Sequence, residues 1–314
     1  MSVAARLSAL AVLWLLTAHA AAARMQQAPS SRIAIELPDG YEPAQLFSGF
    51  THEALGISVI MVEMPGAAYD SLEAGMTPEG LAAKGVTKAR RLKLARAEPH
   101  VYMQGEQASA AGVFAKFFVV FREGDVTALI TANVQKASLD KGDVKAADIE
   151  RALETARVVA TPAPAKDLFT LGELGPFKSS GTFLGTAKAF TLDGTAAPAP
   201  AGSSKPMLIA APSLDRRLVP NPEAYAEQLI AGLAGALEIK IAGRTAVTYG
   251  DLPGIEIEAV ARDKDGGGEV VLYQLLLLPK EGGYYRIFGQ APLAEKDRYL
   301  IEFRRIAAGF KILK

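Results

Sequence analysis

The sequence predicts an α+β protein: two tandem α/β/α sandwich domains, each with a mainly antiparallel sheet flanked by helices. Three observations carry this. One order of elements, helix, strands, helix, occurs twice along the 314 residues. Each copy has a glycine-bearing hairpin between two β-rich runs, and strands joined by a tight turn cannot be parallel. Each copy also opens and closes on a segment with helical signals, so the strands have helices to lie against. A doubly wound nucleotide fold needs strands and helices in strict alternation, a pattern this chain lacks.

Composition bounds the class. At about 150 residues per domain the length allows two domains. With 50% hydrophobic residues each could bury a core, and global disorder is excluded. Lys and Arg number 34, as do Asp and Glu. That balance gives no sequence-wide pull toward nucleic acid or an anionic membrane. The chain has no cysteine, which removes a lipobox, a disulfide framework, thiolate zinc sites and cysteine nucleophiles together.

Residues 1–20 have the layout of a secretory signal peptide: Arg6, an apolar run from Leu7 to Leu15, then small residues. Ala18, His19 and Ala20 fit the small-x-small cleavage pattern, with further candidate cuts after Ala22 or Ala23. A retained anchor is the competing reading. Against it, the apolar stretch is shorter than the roughly 20 residues a spanning helix needs, and Arg24 closes it. No later segment is apolar and long enough to span a bilayer, so the mature chain is expected to lack a transmembrane segment. Cleavage after Ala20 removes Arg6 and no acid, leaving 33 basic and 34 acidic groups from 34 of each. The expected location is periplasmic or secreted.

The first copy is expected over 31–160 and the second over 169–314, joined by a Pro/Ala linker at 161–168 that contains Thr161-Pro162-Ala163-Pro164-Ala165. The helix starts match: Thr77-Pro78-Glu79 and Asn221-Pro222-Glu223 each place a capping side chain, a proline at the first helical position and an acid at the positive dipole end. Tyr225, Leu229, Leu233 and Leu237 read as one apolar stripe over about four turns. Strands are expected to start near Pro99 and Pro253. Hairpins follow at Arg122-Glu123-Gly124-Asp125, after Phe117–Phe121, and at Lys280-Glu281-Gly282-Gly283, after Leu275–Pro279. Val126–Val134 and Tyr284–Gln290 return. Closing helices are expected over Val144–Ala156 and Leu293–Ala308. The Ala/Pro-rich segment from Ala196 to Ser204 reads as an inserted low-complexity loop.

This repeated unit, from the Thr77-Pro78-Glu79 or Asn221-Pro222-Glu223 start through Pro99 or Pro253 to the hairpin and closing helix, resembles the PsbP-like α/β/α sandwich family, including DcrB-like bacterial envelope proteins. The resemblance implies a non-catalytic module and carries over no site residue. Two copies and the missing lipidation cysteine depart from the family pattern.

The remaining motifs are weak. After cleavage only His52 and His100 remain for a histidine base. His52-Glu53 begins a zinc helix motif, but Gly56 stands where the second histidine belongs, so His52 reads as a solvent-facing loop residue. Asp263, Asp265 and Glu269 are candidate calcium ligands, because alternating carboxylates before glycine place oxygens around a cation. Position twelve of that loop is Gln274 rather than the bidentate Glu, and a solvated hairpin tip accounts for the same acids. Ser138 and Lys141 match Ser-x-x-Lys without its partner motifs, and read as a polar loop. Gly80 to Gly85 has phosphate-loop glycine spacing, yet Val86 replaces the lysine. Tyr41, Phe47, Phe50, Tyr284 and Tyr285 could form an aromatic wall or core. Strand alternation puts Tyr284 and Tyr285 on opposite faces, one of them a surface candidate. Lys84, Lys88, Arg90, Arg91, Lys93 and Arg96 form the densest basic run, read as a solvated helix face or turn.

The reading is an exported, non-catalytic binding or scaffolding protein of the bacterial cell envelope. No cofactor is implied, and the partner is an unknown envelope protein or small ligand, with no nucleic acid. The alternative is a periplasmic hydrolase using Asp/Glu chemistry, whose paired acids would converge only in three dimensions. Duplication also predicts a groove between the copies.

Overall fold

The computed structural model describes residues 23–109, 112–164, 167–195, 205–233, 236–263 and 268–313. The expected signal at 1–20, the Ala/Pro-rich loop at 196–204 and Asp265 lie outside the described residues.

The first half comprises β1 (Arg24–Gln27), β2 (Ile33–Leu37), β3 (Glu42–Pro43), β4 (Gly49–His52), β5 (Ile57–Pro65), α1 (Tyr69–Gly75), α2 (Pro78–Ala82), β6 (Val86–Leu92), β7 (His100–Ser109), β8 (Gly112–Glu123), β9 (Val126–Gln135), α3 (Lys136–Lys141), α4 (Ala146–Thr155) and β10 (Arg157–Val158). The second comprises β11 (Phe169–Thr170), β12 (Lys178–Phe183), β13 (Ala187–Thr191), β14 (Met207–Pro212), α5 (Pro222–Ala231), β15 (Ala236–Tyr249), β16 (Leu252–Asp263), β17 (Glu269–Leu277), β18 (Tyr285–Pro292), α6 (Lys296–Ala308) and β19 (Lys311–Ile312). The class is α+β.

Each half centres on a seven-stranded antiparallel sheet, ordered β3-β4-β5-β9-β8-β7-β6 in the first and β12-β13-β14-β18-β17-β16-β15 in the second. These are the same path through space. Each half is also closed in one way, because the strand after its last helix pairs with an early strand, β10 with β2 and β19 with β11.

Both faces of each sheet are covered. In β8, Phe117, Val119 and Phe121 join a core with Ile33, Ile35, Ile149 and Leu153, while Phe118 and Val120 join Tyr69, Met76 and Leu81 of the α1–α2 layer. In β17, Val271, Tyr273 and Leu275 pack on α6 through Phe303, while Val270, Leu272 and Leu276 pack on α5 through Ala226 and Ile230. Strands buried on two faces read as continuous apolar runs, as these do. Helix α6 buries Tyr299, Leu300, Phe303, Ile306 and Ala307, one stripe at 3.6-residue spacing.

The helix starts form as their residues dictate. Thr77 Oγ1 accepts from the Gly80 amide at 3.0 Å and Asn221 Oδ1 from Ala224 at 3.2 Å, each before a first-turn proline. The helices are shorter than their patterns, however. Helix α5 ends at Ala231 with Gly232 as its cap, and Leu237 lies in β15. Glycine favours stopping there, and a half-exposed edge strand accepts Leu237. The basic run also differs from expectation: Lys88, Arg90 and Arg91 lie in β6, an edge strand that cations protect from further pairing. Arg96 is not solvated, since its guanidinium lies 4.0 Å from the Phe121 ring centre. Ser138 and Lys141 belong to α3 instead of a loop.

The halves touch through the turn before β4. Ser48 donates its amide to Leu184 at 2.7 Å, Thr186 Oγ1 donates to the Leu46 carbonyl at 2.6 Å, and Leu46 packs on the second core. The predicted linker begins against the first half, with Ala163 donating to Ser31 at 3.0 Å. Leu168, at its end, packs in the core of the second half.

Helix α6 approaches β18 over Gly289, where an added Cβ would stand 2.7 Å from the Phe303 ring. Phe303 is fully buried and stacks on Tyr273, so it has no room to yield. Gly289→Ala should cost about 1–3 kcal/mol by overpacking, and Phe303→Ala about 3–5 kcal/mol by leaving a cavity. Urea denaturation of both variants measures this.

Candidate functional site

Register places four polar residues side by side across adjacent strands of the first sheet. Thr51 pairs with Ser58, Ser58 with Asn133, and Asn133 with Lys116. Alternation puts the row on the face shared with Phe118 and Val120. Helices α1 and α2 cover that face over β6, β7 and β8 but stop short of the row. A cleft of about 500 Å³ opens there, lined also by Ile60 and Phe114. Its far wall is the second half's loop through Leu214, Asp215 and Arg217. The expected groove between the copies is this cleft.

Besides His52 on its rim, two groups in it are uncommitted. Asn133 is 8% exposed; its Nδ2 donates to Ser58 Oγ at 2.9 Å and its Oδ1 has no partner. Either orientation of the amide leaves one arm unsatisfied, at a cost of about 1–3 kcal/mol. Lys116 makes no ion pair or hydrogen bond with the described residues and rests 5.9 Å from the Phe118 ring centre. Burial pushes its pKa below the ordinary 10.5. A cation and an amide left unpaired in one cleft form a receptor for an anion with a hydrogen-bond donor.

Several other charges are already paired. A larger groove of about 590 Å³ opens over Gln104, Glu106 and Asp140. There Lys88 pairs with Glu106 at 2.8 Å and Lys136 with Asp140 at 2.6 Å, while Arg90, Lys145 and the other side of Lys116 line the same groove without an ion pair to the described residues. Glu256 and Glu258, carboxylates two apart on β16, both meet Arg304 of α6, and Glu256 also accepts from Tyr273 at 3.1 Å. That arrangement clamps a helix to a strand and offers no free acid–base pair.

Of the side chains singled out in the sequence, Phe47, His52 and Glu53 reach this cleft and the others lie elsewhere. His52 lines the cleft rim but is not solvent-facing: its ring meets Tyr41 edge-on at 5.2 Å and its Nδ1 is buried without a partner. The strand ends at His52, and Gly40 leaves room for the ring. His100 Nδ1 contacts the Glu98 carbonyl at 2.9 Å. Tyr284 and Tyr285 do take opposite faces, yet neither is a free surface contact. Tyr284 packs on Tyr225 with ring centres 5.5 Å apart, and Tyr285 packs on Phe169 and Phe310. Asp263 ends β16 and Glu269 opens β17, and the Asp263 amide donates to the Gly268 carbonyl at 2.8 Å. Among the described residues no cluster of three or more His, Asp or Glu could hold a metal. Thr51, Ser58, Lys116 and Asn133 were passed over. A signal existed for one: Lys116 is the single charge within the apolar run Val113–Phe121.

Between its lowered pKa and 10.5 the folded chain binds fewer protons at Lys116 than the unfolded chain, so stability rises with pH through that window. Below it the penalty for burying the ammonium is complete. Lys116→Met should therefore melt above the parent chain at neutral pH, and the difference should vanish above about pH 10.5. Thermal melts from pH 6 to 11 check the sign.

No family profile and no curated protein sequence matches this chain. Among solved structures, it is similar to TplEi, a T6SS immunity protein of Pseudomonas aeruginosa complexed with a peptide, at 11% identity and a TM-score of 0.29 over 92% of this chain and 98% of that one. The Tle4–Tli4 complex gives 11% and 0.30 over 92% and 97%. Cyanobacterial PsbP (CyanoP) of Synechocystis sp. PCC 6803 gives 13% and 0.29 over 46% and 96%. The likeness to PsbP is a weak one in fold, and none of these similarities carries an argument about activity.

Proposed function

We propose that this chain is a non-catalytic binding or scaffolding protein of the bacterial cell envelope, built from two tandem α/β/α sandwich domains at 31–160 and 169–314. Export by residues 1–20 would place it in the periplasm or medium. No helix among the described residues is long and apolar enough to cross a membrane. The observation that carries the reading is the cleft holding the half-buried Lys116 and the buried Asn133, both with unspent bonding capacity.

An anionic group entering beside Lys116 restores the electrostatic energy lost on burying the ammonium. A charge-assisted hydrogen bond there is worth about 1.5–3 kcal/mol. A donor on the same ligand would satisfy Asn133. Leu214 on the opposite wall is 45% exposed, and Leu218, four residues on, is 76% exposed. Exposed leucines beside a polar cleft favour an acidic protein segment as the ligand, with apolar side chains covering the loop.

A photo-crosslinking residue at Thr51, in the cleft, should trap a specific envelope protein from living cells, while the same probe at Ile301 on α6 should not. Lys116→Glu should weaken the captured complex by roughly 10- to 100-fold in a purified binding assay. Equal labelling from both positions, or a hydrolytic turnover abolished by one Asp or Glu substitution, would overturn the reading.

A further inference from the structure

The second half holds a different unspent cation. Arg286 stands on β18 on the face that α5 partly covers, with its guanidinium 5.4 Å from the Phe288 ring centre. Its Nη2 donates to the Leu229 carbonyl at 3.2 Å, near the end of α5. Its Nε is buried with no partner, and no carboxylate of the described residues pairs with it. Arg304, on the α6 side of this sheet, meets two glutamates. Beside Arg286 opens a groove of about 380 Å³ lined by Met207, Ile209, Ala211, Leu233 and Phe288.

A helix end carries only a partial negative charge, so the Leu229 contact offsets part of the arginine's charge. Lysine can shed its proton when buried, but a guanidinium cannot. The charge therefore stays, at the head of an apolar trough. One positive charge balances one negative charge, and the planar donors of arginine match the two oxygens of a carboxylate. A dianionic phosphate would bring surplus charge into the groove.

We propose that this groove binds a monocarboxylate with an unbranched apolar tail, its head on Arg286 and its tail along Met207, Ile209 and Leu233. The binding is reversible, with no covalent step. It is independent of the cleft at Lys116.

The test is calorimetric titration of the chain from residue 21 onward with decanoate, hexanoate and decanol, all below micellar concentration. Decanoate should bind at least tenfold tighter than decanol, which lacks the charge. Shortening the tail should weaken binding by roughly two- to fourfold per methylene. Arg286→Met should remove the preference for decanoate over decanol. Ile209→Asn leaves the arginine in place and should weaken both ligands, and Arg151→Met, at an exposed arginine of α4, should change neither. The carboxyl carbon of labelled decanoate, followed by NMR, should keep the shift of the anion below the pH at which free decanoate protonates. Undetectable decanoate binding at millimolar concentration, equal affinity for decanol, or an affinity unmoved by Arg286→Met and Ile209→Asn would each overturn the proposal and leave Arg286 as a cap for α5.

Discussion

A strand buried on both faces has no solvent to offer a polar side chain, so each polar residue in it must find a partner or wait for one. Strands β8, β9, β17 and β18 are of this kind, with Val119, Val120, Leu272 and Leu275 all inaccessible. Their apolar alternation holds helices to both sides of each sheet. It also sorts the polar residues these strands carry. Gln274 answers the demand in part, donating to the Ala226 carbonyl of α5 at 2.7 Å while its Oε1 stays without a partner, and Glu256 does so by meeting Arg304 and Tyr273. Lys116, Asn133 and Arg286 leave it wholly or partly unanswered. These three border cavities, where a ligand can supply what the fold does not.

The two halves share a strand path but differ in what they leave open. In the first sheet the uncovered strip carries Thr51, Ser58, Asn133 and Lys116, and these polar groups share their cavity with Phe47, Ile60 and Phe114. In the second, the open strip beside α5 carries Met207, Ile209 and Ala211, and its cavity is apolar with one cation. A helix layer narrower than the sheet it covers creates both openings. Which chemistry lines each follows from a few side chains on the outward face of β5, β9, β14 and β18, without any change in backbone path. Contacts of Leu46 and Ser48 with Thr186 and Leu184 then bring the second half's Leu214–Arg217 loop to form a wall of the first half's cleft.

Much of the architecture was legible along the chain. The hairpin glycines, the Thr77-Pro78 and Asn221-Pro222 helix starts and the alternating apolar runs are local signals, and local rules act on neighbours a few residues apart. Helix length was less legible, because Leu237 continues a helical period yet pairs in β15, where long-range hydrogen bonding overrides periodicity. The basic run misled for the same reason: charges on an edge strand and on a helix face have the same composition.

The candidate sites were largely hidden. Lys116 and Arg286 interrupt apolar runs, a cue that a sequence can display, but nothing in one dimension says whether a carboxylate lies opposite. Thr51, Ser58, Asn133 and Lys116 are spread over 83 positions, from Thr51 to Asn133, and become neighbours only through strand register. Composition and local pattern therefore settle that the chain forms helices and antiparallel strands with buried faces. Pairing across the sheet, and the reach of the helices over it, settle which polar groups end beside a cavity with their bonding unspent, because burial and partnership depend on distant parts of the chain.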